Sequence, residues 1–585
     1  MKTQKPPTIS SPSRRGGQGI CFSFLFKRKQ PAASRQPRSM TPVLFELPAR
    51  RVALLLFILL GAPCLFSGSD TPQDDVTEGA LQFTQIYSIV EHNAMDPLDA
   101  DRMILNGAVR GMLSTLDPFS AFFDRDQFEL LQQQARGQAL GFGSVLYVTP
   151  GKVLILETAQ GSPAWRAGLG PGDEIVEING ARVNRLDFNS LVGLLQRAKS
   201  QPVRLGVVRP GKVVPEDFRL KPAEVALPTV DKDFLLEPGI GYIHLAAFES
   251  KTPQEIVDAL KRLDVVGDSP AGHSPSSLQG ILLDLRDNHG GMVDAAVGVA
   301  SLFLKPNSLV LTVQARSQPE KSYRTYPAPY QFDQPLVLLV NNNTASAAEV
   351  LAAALQEHDR ALVAGQPTFG KGVVEHVIAL SEKMGLALTA ARYVTPCGRS
   401  LQRPLPGTAL AKEVGYNTGQ PEQRVPDKGR EVTSVATESS TFHTDDGRPI
   451  TAGGGITPDV PISSRTSDPW VTFLNQRGVF TSFASEYLTL RGKVPKSFEP
   501  DLQVLDGFKD FLGRQGVRVP EEYWAGDQPY LKVRIKTELF NLIYGLTFGD
   551  EVETRADPQV QKAATLFPRI AQLLKAPVTG SGGAR

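Results

Sequence analysis

The sequence predicts a multi-domain α/β protein with a helical N-terminal region, a small β-rich domain, a layered α/β core and a helical C-terminal extension. Apolar residues between positions 76 and 136 recur at helical spacing. Between 223 and 463, short apolar runs alternate with helical patterns, which is typical of a layered α/β core. The 585 residues suit three or four domains. The net charge of +1 gives no field that would favour nucleic acid as a partner.

The first 69 residues differ from the rest of the chain. Residues 1–51 hold eleven Lys or Arg and one acid, with many Ser, Pro and Gln, so we expect a disordered basic leader. Residues 52–69 read as a signal peptide or membrane anchor, because fifteen uncharged residues follow Arg50-Arg51. We therefore expect an exported protein of the periplasm or cell envelope. A start at Met40 would give a conventional leader, and an uncleaved 52–66 segment would tether the protein to the inner membrane.

Cysteine and histidine usage argues against metal and disulfide chemistry. Cys21 and Cys64 lie in the leader, which leaves Cys397 alone in the exported part. One thiol forms no internal disulfide, and no Cys/His group has zinc-ligand spacing. We expect neither a metal nor another cofactor.

Two helical regions lie on either side of the predicted β-rich domain and α/β core. In region 76–136, Leu81, Ile86 and Ile89 mark one apolar helix face. A turn at 116–120 interrupts the pattern. Region 465–585 holds several apolar helical stretches and is expected to form a helical C-terminal domain. Either set of helices could support a homodimer.

Residues 139–222 contain short strand patterns that are separated by turns. Their ordered motifs are Gly161-Ser162-Pro163-Ala164, Ala167-Gly168-Leu169, Pro171-Gly172-Asp173 and Ile178-Asn179-Gly180. This order resembles a PDZ domain, a small β-barrel-like fold with helices that binds a peptide C-terminus by strand addition. The resemblance implies that the carboxylate-binding loop is Leu140-Gly141-Phe142-Gly143. For the two glycines alone, the alternative is an ordinary turn.

In the predicted core, 223–463, two segments follow strand patterns directly. One is Asp284-Leu285-Arg286-Asp287-Asn288-His289-Gly290-Gly291, and the other is Asn343-Thr344-Ala345-Ser346-Ala347. Reactive groups of α/β folds gather at strand-to-helix junctions, so we expect these segments to face one cleft. Residues 404–447 are polar and rich in Gly and Pro, which predicts a surface insertion.

Ser346 and Lys371 are the strongest chemical signal. A serine hydroxyl needs a proton acceptor before it attacks a carbonyl, and a lysine accepts only when its amine is neutral. Apolar neighbours favour the neutral amine. Alone, the serine would more simply be a helix cap. Gly365–Lys371 also matches seven positions of a phosphate-binding loop, but Gly372 replaces the required Ser or Thr and a strand pattern follows. We therefore favour a Ser–Lys dyad.

An oxyanion hole needs backbone N–H groups that no side chain obstructs. The N–H of Ala347, with one from Gly290 or Gly291, would serve. The alternative for the glycine pair is a plain turn at a strand end.

Residues 76–463 together resemble the C-terminal processing peptidases, or tail-specific proteases. The resemblance also covers Leu116-Asp117-Pro118 and Gly453–Asp459. It implies a secreted or periplasmic serine endopeptidase with Ser346 as nucleophile, Lys371 as general base and an acyl-enzyme. It also implies protein or peptide substrates with free C-termini, recognised by the PDZ domain.

Three residues depart from the family pattern. Glu375 stands where the family has Gln, and an ionised glutamate would favour the charged amine. Glu375 is either a protonated third member of the dyad, or points away, or shifts activity to higher pH. His289 is interpreted as a loop residue, and Cys397 as a thiol near or outside the cleft. Glu375 also keeps open an alternative function, a proteolytically inactive peptide-binding scaffold.

Overall fold

The computed structural model describes residues 73–575, apart from Leu98, 136–137, Pro150, 264–277, Ser317, 382–383, 405–441, 451–453 and 465–467. The predicted leader 1–51, the signal or anchor 52–69 and most of the insertion 404–447 lie outside the described residues. Among the helices described, none is long and apolar enough to cross a membrane.

The described residues before Met112 form a unit of their own, which is helical as predicted. It contains α1 (Gln73–Asn93), α2 (Ala100–Met103) and a π-helical segment (Ile104–Val109). The apolar periodicity of α1 is present, but its apolar side chains are exposed. Leu81, Ile86 and Ile89 each leave about 60% of their surface in solvent.

The second unit begins at Met112 and contains everything that follows. After α3 (Arg110–Ser114) come β1 (Ala121–Phe123) and α4 (Arg125–Ala135). The prediction of a helical region 76–136, interrupted by a turn at 116–120, missed β1, which pairs with a core strand more than 260 residues later. A three-residue strand is too short to show alternation, so only its distant partner defines it.

The predicted PDZ domain is a six-stranded antiparallel sheet with two helices. Its elements are β2 (Gln138–Gly141), β3 (Ser144–Thr149), β4 (Lys152–Thr158), α5 (Pro163–Arg166), β5 (Glu174–Ile178), β6 (Ala181–Arg182), α6 (Phe188–Ala198), β7 (Val203–Val208), β8 (Glu216–Leu220) and β9 (Ala223–Ala226). The sheet order is β3-β4-β5-β7-β8, with β6 on β5, and β2 pairs separately with β9. In the described residues β3 is therefore an edge strand. Asp187 caps α6 by accepting the Ser190 N–H at 3.0 Å.

The core is layered α/β, as predicted. Its main elements are β10 (Val230–Glu237), β11 (Ile240–Leu245), α7 (Thr252–Arg262), β12 (Gly280–Asp284), α8 (Val293–Phe303), β15 (Leu336–Val340), α9 (Ala347–Glu357), β16 (Leu362–Gly365) and β21 (Val460–Pro461). The sheet order is β10-β11-β12-β15-β16-β21, parallel from β11 onward. Because β12 and β15 are parallel neighbours, the segments that follow them emerge at the same edge.

A second, antiparallel sheet covers that edge. It combines β1 with β13 (Leu309–Ala315), β14 (Lys321–Arg324), β17 (Val373–Ser381) and β18 (Met384–Val394). A two-stranded ribbon, β19 (Phe442–His443) with β20 (Pro449–Ile450), stands apart. The strand β18 is the centre of the second sheet, since it pairs with β1, β13 and β17.

The C-terminal region is helical, as predicted. It contains α10 (Pro469–Gln476), α11 (Val479–Arg491), α12 (Leu502–Arg514), α13 (Glu521–Tyr544), α14 (Leu546–Ala556), α15 (Pro558–Ala564) and α16 (Ile570–Lys575). Leu154 and Leu156 of the PDZ domain belong to the same apolar cluster as the first four helices of the C-terminal region. Val560 and Phe567 pack on the core sheet. The C-terminal helices therefore contact both the PDZ domain and the core.

Candidate active site

Ser346 lies on the turn between β15 and α9, with φ +56° and ψ −119°. Side chains with a Cβ rarely adopt this conformation, and such strain at a strand-to-helix turn is a feature of nucleophile elbows. The turn is tied to the end of β12. The Thr344 hydroxyl donates to Leu285 O at 2.8 Å, and the Ala345 N–H donates to Asn288 O at 2.9 Å. The serine turn and the glycine-containing loop are therefore adjacent.

Glu349, one turn into α9, joins the serine turn to the lysine turn. It is fully buried and accepts the Ser346 N–H at 2.9 Å and the Lys371 N–H at 2.9 Å on one oxygen. Its other oxygen accepts the Thr368 hydroxyl at 2.5 Å and the Gly370 N–H at 2.7 Å. Burial raises the pKa of Glu349, and these four donors oppose that rise. One carboxylate thus fixes the backbones of both predicted dyad members.

The Lys371 side chain has a different partner from the one expected. Its Nζ lies 3.0 Å from Glu375 Oε1 and 5.0 Å from the centre of the Phe119 ring. In the part of the chain that the structure describes, Nζ pairs with Glu375 and not with Ser346. The interpretation in which Glu375 points away is therefore wrong.

The structure leaves fewer N–H groups available for the candidate oxyanion hole than the sequence suggested. A Cβ placed on Gly290 would lie 2.8 Å from Ala347 N and 2.9 Å from Ser346 Cβ, so only glycine fits against the serine turn. The Gly290 N–H, however, donates to Asn288 Oδ1 at 2.8 Å. The N–H groups of Gly291 and Ala347 have no acceptor within the described residues. Of the two glycines, Gly291 is therefore the one whose N–H is available.

A pocket of about 210 Å³ opens beside the strands that follow the lysine turn. Its walls combine apolar side chains with a polar mouth: Val293, Val313, Ala315, Pro319, Val374, Tyr323 and Tyr393, with Gln318, Lys321 and His376. Tyr393 connects the pocket to the lysine turn, because its backbone N–H donates to Gly372 O at 2.7 Å. Pockets for drug-sized ligands are about 300–1,000 Å³. This one suits a single side chain.

The loop after β12 is braced by a buried ion pair. Asp284 is fully buried and accepts from Arg286 Nη2 at 2.6 Å and from the Tyr242 hydroxyl at 2.8 Å. Burial alone would raise the pKa of Asp284, but the Arg286 guanidinium lowers it below its usual range. Arg286 also donates to Asp557 at 2.6 Å, which lies between α14 and α15. The C-terminal helices therefore support the loop that carries Gly290 and Gly291.

Other predicted residues lie away from the serine. His289 is exposed on its loop. Cys397 donates its N–H to Glu357, the last residue of α9 and about 16 Å along the helix from Ser346. Burial raises the pKa of the Cys397 thiol. A strand, β17, follows the Gly365–Lys371 segment, where a phosphate-binding loop would precede a helix. Within the described residues no group of three metal-ligating side chains occurs.

The predicted carboxylate loop precedes the edge strand β3. Gly143 has φ +72°, and a Cβ there would lie 2.3 Å from Ser162 Cβ. The carbonyls of Phe142 and Gly143 turn inward and accept the N–H groups of Ala164 at 3.0 Å and Ala159 at 2.8 Å. The N–H groups of Phe142 and Gly143 have no acceptor in the described chain. They remain available to an anion beside a free strand edge.

Protein-family models match both the α/β core and the PDZ domain. The family model described as peptidase family S41 matches residues 239–409, and a PDZ-domain model matches residues 155–209. A carboxy-terminal-processing protease of Bartonella bacilliformis is 30% identical over 355 residues, which cover 58% of this chain and 79% of that protein. The chain belongs to peptidase family S41. Its enzyme class, a peptidase, is therefore as predicted.

A further relative and one solved structure are also similar to this chain. A carboxyl-terminal-processing protease of Synechocystis sp. is 35% identical over 295 residues, covering 49% of this chain and 66% of the relative. The solved photosystem II D1 C-terminal processing protease is 30% identical, with a TM-score of 0.33, and the match covers 57% of this chain and 84% of that one.

Sequence reasoning missed two residues of this S41 peptidase site. Glu349 was visible as the last residue of a Ser-x-x-Glu pattern, which signals a capping box, but not as a bond to the lysine turn. Tyr393 carries no local signal, because its bond to Gly372 of the lysine turn forms only when β18 packs beside that turn.

Proposed function

We propose that the protein is a serine endopeptidase in which Ser346 attacks the scissile carbonyl and Lys371 takes its proton. The observation that carries this proposal is the single buried carboxylate of Glu349, which binds the backbones of both residues. Such bonds hold the two turns in register through their backbones and do not engage either side chain.

The reaction would run in two stages. Ser346 Oγ bonds to the substrate carbonyl carbon as its proton passes to Lys371 Nζ, and the oxyanion accepts the N–H groups of Gly291 and Ala347. Lys371 then gives the proton to the leaving amine, and an acyl-enzyme remains. Water, activated by the same amine, hydrolyses the ester.

Glu375 sets the condition for this chemistry. Its carboxylate oxygen lies 3.0 Å from Lys371 Nζ, so the amine is paired with Glu375 rather than with the serine. The amine must therefore break this ion pair and turn to Ser346 before attack.

The PDZ domain would recognise substrates by their C-termini. A peptide added to the free edge of β3 would bring its carboxylate to the N–H groups of Phe142 and Gly143. Its partners would be proteins or peptides with free C-termini. The pocket lined by Val374 and Tyr393 would receive one substrate side chain near the cleavage point.

The cell envelope is the proposed location, on the strength of residues 52–69. An uncleaved segment 52–66 would tether the protein to the inner membrane, and fractionation with a C-terminal tag would detect this. A homodimer through the terminal helices is supported by the exposed apolar residues Leu81, Ile86 and Ile89 of α1. Sedimentation of wild type and of Ile86→Glu would test it, because the charge should dissociate the dimer.

The second candidate is a peptide-binding scaffold without proteolysis, favoured by the Lys371–Glu375 ion pair. Incubation of an unfolded substrate with wild type and Ser346→Ala distinguishes the two. Cleavage by wild type alone supports the peptidase, whereas equal results with both proteins support the scaffold. Peptides that differ only in their last three residues then measure the contribution of the PDZ domain.

A further inference from the structure

The PDZ domain places a lysine beside its candidate carboxylate loop. Lys199 directly follows α6, and its N–H donates to Leu195 O at 3.2 Å. A Cβ placed on Gly141 would lie 3.9 Å from Lys199 Cγ and 4.0 Å from Lys199 Cε. The methylene chain of Lys199 therefore packs over Gly141, the last residue of β2. The ammonium nitrogen is bonded to the Cε atom that reaches this loop.

The loop that Lys199 covers is also the loop whose N–H groups are available. Gly141 is followed by Phe142 and Gly143, and the N–H groups of these two residues have no acceptor in the described chain. The edge strand β3 begins at Ser144, immediately after them. A peptide that added to this edge would end with its carboxylate at the two N–H groups. The Lys199 ammonium would then lie close to that carboxylate.

Two electrostatic effects act at this end of the PDZ domain. The C-terminus of α6 carries the negative end of the helix dipole, which would repel a carboxylate bound beside it. Burial also lowers the pKa of Lys199, because the charged amine loses part of its hydration. An ion pair between the ammonium and a bound carboxylate would offset both effects.

We propose that Lys199 is a binding residue for the C-terminal carboxylate of the substrate, and that it pairs with this group while the N–H groups of Phe142 and Gly143 donate to it. This inference rests on the proposed recognition of C-termini by the PDZ domain. Backbone N–H groups donate to a carboxylate or to an uncharged amide oxygen, whereas the ammonium adds an attraction that only the negative charge provides. Lys199 therefore makes the domain select free C-termini over blocked ends.

Lys199→Met tests the proposal, since it removes the charge and keeps an unbranched apolar chain over Gly141. Both the parent and the variant are full chains that carry Ser346→Ala, which prevents cleavage during the titration. The probe is the tightest binder among the peptides that differ in their last three residues, labelled at its N-terminus with fluorescein. It is prepared with a free and with an amidated C-terminus.

We expect Lys199→Met to raise the Kd of the free-acid peptide about fivefold, the size of one ion pair that is partly open to water. The Kd of the amidated peptide should stay within twofold. Arg197→Met is the matched control, because Arg197 is an exposed cation of the same helix whose Nη1 lies 3.5 Å from a Cβ placed on Gly193. It removes the same charge and should leave both Kd values within twofold.

The two peptides separate the possible outcomes. An unchanged preference for the free acid in Lys199→Met would overturn the inference. So would an equal loss of affinity for the acid and the amide, which would make Lys199 a structural residue only. Equal binding of the acid and the amide by the parent protein would instead refute the proposed recognition of C-termini.

Discussion

Two glutamates contact the candidate site in opposite ways. Glu349 is fully buried and accepts four hydrogen bonds, three of them from backbone N–H groups. The Glu375 side chain is about a quarter exposed and pairs with the Lys371 amine alone. Backbone bonds at a buried carboxylate permit one arrangement, whereas an ion pair open to water can break and re-form. The bonds of Glu349 therefore hold the two turns rigidly. The Lys371–Glu375 ion pair, in contrast, can separate when the amine has to move a proton.

The largest effect is expected when the Lys371 amine is removed. Lys371→Ala should reduce kcat by about 10²–10⁴-fold, the contribution of a positioned general base. Turnover of an unfolded protein substrate measures this, with Lys305→Ala, an exposed lysine of the core, as control. Activity within tenfold of wild type in Lys371→Ala would exclude Lys371 as the base.

Substitution of the buried Glu349 should cause a smaller loss of activity, together with a loss of stability. Glu349→Gln replaces one acceptor oxygen by an NH₂ group that faces backbone donors. We expect a fall in kcat of about 10–100-fold and a loss of about 2–4 kcal/mol in the free energy of unfolding. Urea titration and steady-state kinetics measure the two. A variant of normal stability and activity would mean that Glu349 does not hold the two turns together.

Glu375→Gln should raise activity, because it removes the ion pair that holds the Lys371 amine away from Ser346. We expect kcat to rise several-fold, since an ion pair that is open to water is worth up to about 1 kcal/mol. Glu320→Gln, an exposed glutamate of the same core, is the control. An unchanged kcat in the Glu375 variant would show that the ion pair does not restrain the amine.

The smallest effect tests how far the site extends. Cys397 lies at the opposite end of α9, bound through its backbone N–H to Glu357. Cys397→Ser should therefore leave kcat/KM within twofold, and a thiol-blocking reagent should inhibit neither protein. Strong inhibition of wild type alone would connect the far end of the helix to the reaction.

The sequence predicted the domains better than it predicted contacts within the site. Ser346, Lys371 and the glycine pair stand in short local patterns, so their placement at strand ends could be inferred. The partners of those residues could not. That Gly290 gives its N–H to Asn288 while Gly291 keeps its own available depends on two positive-φ residues in succession. Likewise, β1 was missed because its partner, β18, lies more than 260 residues away in sequence.

The amino-acid sequence alone determined the order of the domains, the family motifs and the presence of a glutamate where the family has glutamine. Periodicity and turn chemistry are local properties, and neighbouring residues are sufficient to express them. Only the tertiary structure decided which carboxylate holds the two turns and which one meets the amine. It also brought Tyr393 of β18 to the lysine turn. The bonds from Glu349 to that turn join residues 19 to 22 positions apart in sequence, and packing of two sheets around α9 fixes distances that no local pattern encodes.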